Sequence, residues 1–283
     1  MTSHCPIEFA LVLIHYSQHG VKGNYITIGS VPQEFDFSTG PRNMSTIICI
    51  PSPPFGRYFW RDVCARFSTH QLATKIVTPF SEESDPQKIC ALIKKECDSI
   101  KGPIYILAHG SSIQIALECA SIPNVGGIAL TNGSFYQDSQ LLKLAVSLPN
   151  FAMSILSQPK IAVALFRSSI GMRRWVVNPY VMNHDMVVTV CEEFISSSIY
   201  RDNCLKYIKE KPSSLQKIPQ IRKPTLLIWG TGDYFHPIEH LSQHLSDSDA
   251  ITCVNVPGGR YLHPIERPWE TADSVHEWIE TLK

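Results

Sequence analysis

Hydrophobic and polar positions alternate between two periods along this chain. Apolar, β-branched runs predict strands at Tyr25–Ile28, Ser45–Ile50, Ala73–Val77, Pro103–Ala108 and Val125–Leu130. Between them the spacing lengthens to that of helices. Phe59, Val63 and Phe67 share one face of Tyr58–Ser68, and Ile89, Ile93 and Cys97 one face of Asp85–Ile100. A further helix is predicted over Ile113–Ser121 after a tight turn. From Tyr136 to Ile218 the strands stop, and the periodicity is helical, broken by Pro149, Pro159, Pro179 and Pro212. The alternation then resumes with a strand at Thr225–Trp229, a helix from Pro237, a strand at Ile251–Val256 and a last helix over Pro268–Leu282.

Parallel strands need crossover connections, and helical crossovers cover both faces of a sheet. The pattern therefore predicts an α/β protein with a mostly parallel central sheet flanked by helices. Residues 1–135 and 219–283 form its core, and residues 136–218 are a helical insertion. An insertion between two strands of such a sheet is expected over their carboxyl ends, where these sheets hold ligands, and so reads as a cap. Met1–Tyr16 is apolar, but it lacks a basic lead and is interrupted by Glu8. It reads as a first strand rather than a removed signal segment.

Composition narrows the classes. The chain has 283 residues, 44% of them hydrophobic, enough to bury a full core. The 25 basic and 25 acidic side chains cancel, which excludes a bulk electrostatic grip on nucleic acid or anionic lipid. No apolar run reaches the length of a membrane-spanning helix, so no integral membrane association is expected. Nine scattered cysteines without a C-x-x-C pair fit free thiols in a reducing compartment and predict a cytoplasmic protein. No glycine-rich phosphate loop joins a strand to a helix, so no cofactor is expected. His236–His240 (HPIEH) matches H-x-x-E-H in letters. Pro237, however, sets His236 at a helix cap rather than one turn before His240, and no metal site is expected.

Three stretches carry a resemblance. IYILAHGSSIQIAL (Ile104–Leu117), LLIWGTGDYFHP (Leu226–Pro237) and VPGGRYLHPIERP (Val256–Pro268) resemble the nucleophile elbow, the acid turn and the histidine loop of the α/β-hydrolase superfamily, in that family's chain order. The likeness covers nearly the whole chain and implies that fold with a helical cap. It also marks where the chain departs from the family's chemistry. Gly110 stands at the centre of the elbow, where the nucleophile belongs. Glycine is a conformationally easy occupant of a strained turn when nothing there must attack. Tyr261 stands at the position of the general base, and a phenol is a poor base near neutral pH. Pro53 stands at one oxyanion-donor position and has no N–H to offer. Asp233 keeps the acid position, where it is expected either to accept the phenol of Tyr261 or to serve simply as a turn residue.

The resemblance thus implies a catalytically degenerate member that binds a small apolar ligand or a protein partner. Pro53, His109, Gly110, Ser111 and Tyr261 are its candidate binding residues. Two enzymatic readings stand beside it. One is an esterase or thioesterase with a displaced nucleophile, Ser111 or Ser112, and His263 as base. The other is a non-covalent enzyme using Tyr261, His109 and Asp233 as acid–base groups. Within the insertion, Phe151, Met153, Phe166, Met172, Met182 and Met186 are expected to form its core. Arg173 and Arg174 are expected to be solvated, with Trp175 turned inward.

Overall fold

The sheet is assembled from strands whose side chains pack on both faces. A computed structural model describes residues 45–133, 155, 158–168, 173–210, 222–239 and 250–283. The chain divides at Ser38/Thr39 into two units, and every described residue belongs to the second. The strands expected at Met1–Tyr16 and Tyr25–Ile28 lie outside the described residues, as does most of the helix expected from Pro237.

Six strands are described: β1 (Thr46–Ile50), β2 (Ala73–Ile76), β3 (Ile104–His109), β4 (Val125–Thr131), β5 (Thr225–Gly230) and β6 (Ile251–Val256). They form one parallel sheet in the order β2-β1-β3-β4-β5-β6. The register places Ile50 beside Ala108, and His109 beside Thr131, so that the carboxyl ends of β1, β3 and β4 lie together. Every residue of the inner strands β3 and β5 is buried, whereas the edge strands β2 and β6 are only partly covered.

Period-two alternation sends the two sets of side chains to opposite faces. Ile47, Cys49, Leu107, Leu226 and Ile228 join one core, against α1 (Arg61–Thr69) and the last helix. Ile48, Ile50, Ile106, Ala108, Leu130 and Leu227 join the other, against α2 (Pro86–Ser99) and α3 (Ile113–Cys119). Helix α2 starts where its sequence dictates. Asp85 accepts the N–H groups of Gln87 and Lys88 at 2.8 and 3.2 Å, and Pro86 occupies the first turn.

Between β4 and β5 come α4 (Pro159–Arg167), α5 (His184–Val190), α6 (Glu192–Ser196) and α7 (Ser198–Glu210). Pro159 opens a helix rather than breaking one, because a first-turn proline lacks only an N–H that would be unpaired anyway. Helix α7 is tied to the loops after β1 and β3. The Tyr200 hydroxyl donates to the Phe55 carbonyl at 2.7 Å, and the Tyr207 hydroxyl to the Ser111 carbonyl at 2.9 Å. The short α8 (His263–Glu266) and then α9 (Pro268–Thr281) end the chain. Tyr58–Ser68, expected as one helix, is a 3-10 turn at Arg57–Trp60 followed by α1. No helix among the described residues is long and apolar enough to cross a membrane.

Candidate functional site

The turn after β3 is tight: Gly110–Ser112 makes a single 3-10 turn between β3 and α3. Gly110 has φ +59°, the left-handed region that a side chain makes costly, and its N–H donates to the Asn132 carbonyl at 2.9 Å. The space a side chain would need there is taken. A Cβ on Gly110 would lie 2.6 Å from Ser52 Oγ and 2.8 Å from Ser52 Cβ, and would collide with the Tyr261 hydroxyl. The Ser111 N–H donates to Ser52 Oγ at 3.0 Å. Ser52 Oγ donates to the Pro53 carbonyl at 3.2 Å, and the Tyr261 hydroxyl lies beside it at the turn. In an elbow, the N–H after the central residue is the one that would face a developing oxyanion. Here a fully buried side-chain hydroxyl satisfies it.

Ser111, Ser112 and His263 do not assemble into the alternative catalytic set. The Ser112 hydroxyl is fully buried and donates to the Pro51 carbonyl at 2.7 Å. Neither ring nitrogen of His263 has a hydrogen-bond partner among the described residues. Burial pushes His263 down to about 3, so the imidazole is neutral at ordinary pH. Ser112 is committed to the residue after β1 and His263 is fully buried with both ring nitrogens unpartnered among the described residues, so neither serine is joined to the imidazole.

His109 is completely buried. Its Nδ1 lies 2.9 Å from Thr131 Oγ1 and 3.0 Å from the Thr131 carbonyl oxygen, and its ring stacks on Phe59 at 4.7 Å. Burial lowers its basicity well below the ordinary histidine value. Burial also raises the Tyr261 phenol above the ordinary tyrosine range. Both groups hold their neutral forms, the opposite of an acid or base poised near neutrality.

Asp233 does not take the phenol of Tyr261. Its carboxylate accepts Asn132 Nδ2 at 2.6 Å and the Phe235 N–H at 2.8 Å, with His236 Nδ1 at 3.4 Å. Burial opposes its ionisation, but His236, Asn132 and the Phe235 amide outweigh burial and hold the carboxyl below its usual range. The Tyr261 hydroxyl lies instead at the Gly110 turn, beside Ser52.

Three residues of this region escaped the sequence reading. Ser52 reaches the turn from a loop distant in sequence, and nothing in the pattern marks it. Asn132 bridges Asp233 and the Gly230 N–H, the latter at 2.9 Å, again through a long-range contact. His236, three residues after Asp233 within the same turn, lies close enough in sequence to signal this pairing. Among the described residues no group of three or more His, Cys, Asp or Glu side chains is placed to hold a metal ion.

Aromatic rings pack over Tyr261. Trp175 lies 5.4 Å from it and Phe235 6.0 Å, and Trp175 also packs on Phe166 at 4.9 Å and on Phe55 at 6.2 Å. Trp175 is thus turned toward the core, Arg173 is exposed, and Arg174 lies over the Tyr234 ring at 4.7 Å. Met182 is buried in the same core, while Phe151, Met153 and Met172 lie outside the described residues. A cleft of about 340 Å³ opens nearby, between Tyr58–Asp62 on one side and Asn183–Val190 on the other, with Pro264 and Ile265 at its base. Met186 lines it. Pro53, His109, Gly110, Ser111 and Tyr261, the expected binding residues, do not.

No family model matches this chain, and no curated protein matches its sequence. Solved structures do match its shape. A thermophilic esterase from Thermogutta terrifontis is similar with a TM-score of 0.65 at 13% identity, covering 85% of this chain and 91% of that one. A mutant of the epoxide hydrolase from Solanum tuberosum gives 0.66 at 14%, covering 84% and 93%. A bromoperoxidase from Bacillus anthracis gives 0.65 at 9%, covering 84% and 92%. Three different chemistries on one architecture identify the scaffold and leave the activity to the site residues. With its six parallel strands, the tight turn after β3 and the acid turn after β5, the chain has the α/β-hydrolase fold.

Proposed function

We propose that this protein is a non-hydrolytic member of the α/β-hydrolase fold that recognises a ligand instead of turning one over. The observation that carries this reading is the filled turn. Gly110 offers no nucleophile, Ser52 and the Tyr261 hydroxyl occupy the space one would need, and the Ser111 N–H is spent on Ser52. Pro53 has no N–H with which to complete an oxyanion pair, and losing one such donor alone costs roughly 10²–10³ in rate. Asp233 and His236 then serve the turn after β5 as structural partners.

In this reading the helices between β4 and β5 act as a cap, pinned by Tyr200 and Tyr207 to the loops beneath. Recognition shifts from the filled turn to the cleft. Tyr58, Phe59, Met186, Val190 and Ile265 there suit an apolar body, with Arg61, Asp62 and Asp185 near the mouth for a polar end. A small, largely apolar molecule with one polar group is the ligand class that fits, and the eight free thiols described support a cytoplasmic setting.

The test is a thermal-shift screen with medium-chain acids, alcohols and esters, repeated on Met186→Trp, which fills the cleft. Stabilisation of the wild type that Met186→Trp abolishes, without release of p-nitrophenol from p-nitrophenyl esters, supports the reading. Ester turnover above background would overturn its non-hydrolytic part. Ligand shifts indifferent to Met186→Trp would overturn the assignment of the cleft.

A further inference from the structure

Two helices on the face of the sheet away from the cleft bring a pair of thiols together. Cys90 is on the second turn of α2 and is half-buried, while Cys119 is the last residue of α3 and fully buried. Their sulfur atoms are 3.3 Å apart. Closing that gap to a disulfide bond of about 2.05 Å needs a shift of little more than an ångström, within rotamer adjustment of two helix ends. The asymmetry of the pair matters as much as its spacing. Cys90 is partly exposed and Cys119 is buried against it, the arrangement of an attacking and a resolving thiol. Helix α3 leads directly out of the Gly110–Ser112 turn, so a bond to Cys119 would tether the end of the helix that begins there.

We propose that Cys90 and Cys119 are a peroxide-oxidisable dithiol that closes to a reversible disulfide between α2 and α3. The thiolate of Cys90 attacks hydrogen peroxide. A sulfur–oxygen bond forms, the oxygen–oxygen bond breaks, and the departing hydroxide takes up a proton to leave as water. Cys119 then attacks the Cys90 sulfenic acid. The sulfur–sulfur bond forms, the sulfur–oxygen bond breaks, and the Cys119 proton leaves with that oxygen as a second water. The two sulfurs together lose two electrons, and the peroxide gains them. The hydrogen bond from Cys119 lowers the Cys90 thiol from its ordinary value against the opposing effects of burial and of the Glu118 carboxylate, and Lys94 one turn along adds a smaller lowering. Cys49 and Cys64 form a second pair, but at 3.9 Å, with Cys49 sealed within β1. They are the internal comparison and should oxidise later.

The experiment uses the full chain, reduced, freed of reductant and exposed to a few-fold excess of hydrogen peroxide. Remaining thiols are blocked with N-ethylmaleimide in denaturant before tryptic mapping. The expected product joins peptide 89–94 to peptide 102–143, each of which holds one cysteine. Its mass is lower than their sum by two hydrogens, and dithiothreitol separates it. Cys119→Ser should leave Cys90 as a sulfenic acid captured by dimedone, and Cys90→Ser should abolish the linked product. The wild-type map stands even if a variant fails to fold. The proposal is overturned if Cys90 stays reduced, if it proceeds in the wild type to the sulfinic or sulfonic acid, or if it pairs with any cysteine other than Cys119. Earlier appearance of a Cys49–Cys64 link would overturn it too.

Discussion

Replacing Gly110 with serine puts back the atom group that an elbow nucleophile would supply, and the structure sets what that costs. Two effects add. A side chain at φ +59° enters the left-handed region, at about 1–2 kcal/mol. The new Cβ also enters space held by Ser52, with Oγ at 2.6 Å and Cβ at 2.8 Å, and by the Tyr261 hydroxyl. Forcing extra atoms into a packed interior costs about 1–3 kcal/mol. Gly110→Ser should therefore destabilise the fold by about 2–5 kcal/mol. For a chain of this size that corresponds to a fall in melting temperature of about 4–20 °C. The assay is urea denaturation followed by circular dichroism, run as a double-mutant cycle with Ser52→Gly. Removing the Ser52 side chain vacates the part of the contested space that Ser52 holds, leaving the Tyr261 hydroxyl, so the double variant should lose less than the sum of the singles. A coupling of about 0.5–3 kcal/mol is expected for groups in such contact. Gly110→Ser within about 0.5 kcal/mol of wild type would refute the claim that the turn is filled, placing it among ordinary surface changes. Strict additivity with Ser52→Gly would refute the claim that Ser52 is what fills it.

Further outcomes follow from the same contacts. Ser52→Ala strands the partly buried Ser111 N–H and should cost about 1–3 kcal/mol by urea titration; an unchanged midpoint would show that this bond does not matter. Acid should weaken the fold through His263, whose folded value is pushed by burial to about 3, against an unfolded value of about 6.5. Because the unfolded chain binds that proton first, the stabilisation is complete above pH 6.5 and drains away as pH falls toward 3. Between pH 7 and pH 5 the loss is roughly 2 kcal/mol. His109, also lowered by burial, adds to the loss in the same direction, and stability flat over this range would contradict both. The pair Gly110→Ser and Tyr261→His should hydrolyse p-nitrophenyl acetate only weakly, because Pro53 still withholds an amide hydrogen; rates typical of esterases would contradict that assignment.

The scaffold was readable in the sequence because it rests on local patterns. The apolar runs that become β3 and β5 are buried from end to end, and the four-residue spacing of Ile89, Ile93 and Cys97 is the buried face of α2. Element ends differed by about a residue where capping decides them, as at Asp85 and Pro86. The glycine in the elbow was equally plain, since a single letter states it. What fills the turn was not, because it depends on contacts between distant segments. Ser52 meets Ser111 across 59 residues, and Asn132 meets Asp233 across 101. The expected bond between Tyr261 and Asp233 failed for the same reason: a family template pairs positions, but here the Tyr261 hydroxyl lies against Ser52 at the Gly110 turn, and Asn132 and His236 take the carboxylate. Closeness in sequence did not rescue Ser112 and His263 as catalytic groups either, since the direction of each side chain, not its neighbourhood, decides whether a hydroxyl meets an imidazole.

Fluorophosphonate labelling read by intact mass tests the absence of an activated serine most directly. The account predicts a single unmodified species after hours at neutral pH, under conditions where a serine esterase control is fully labelled. An adduct that maps to Ser52, Ser111 or Ser112 and disappears when that residue is replaced by alanine would contradict it.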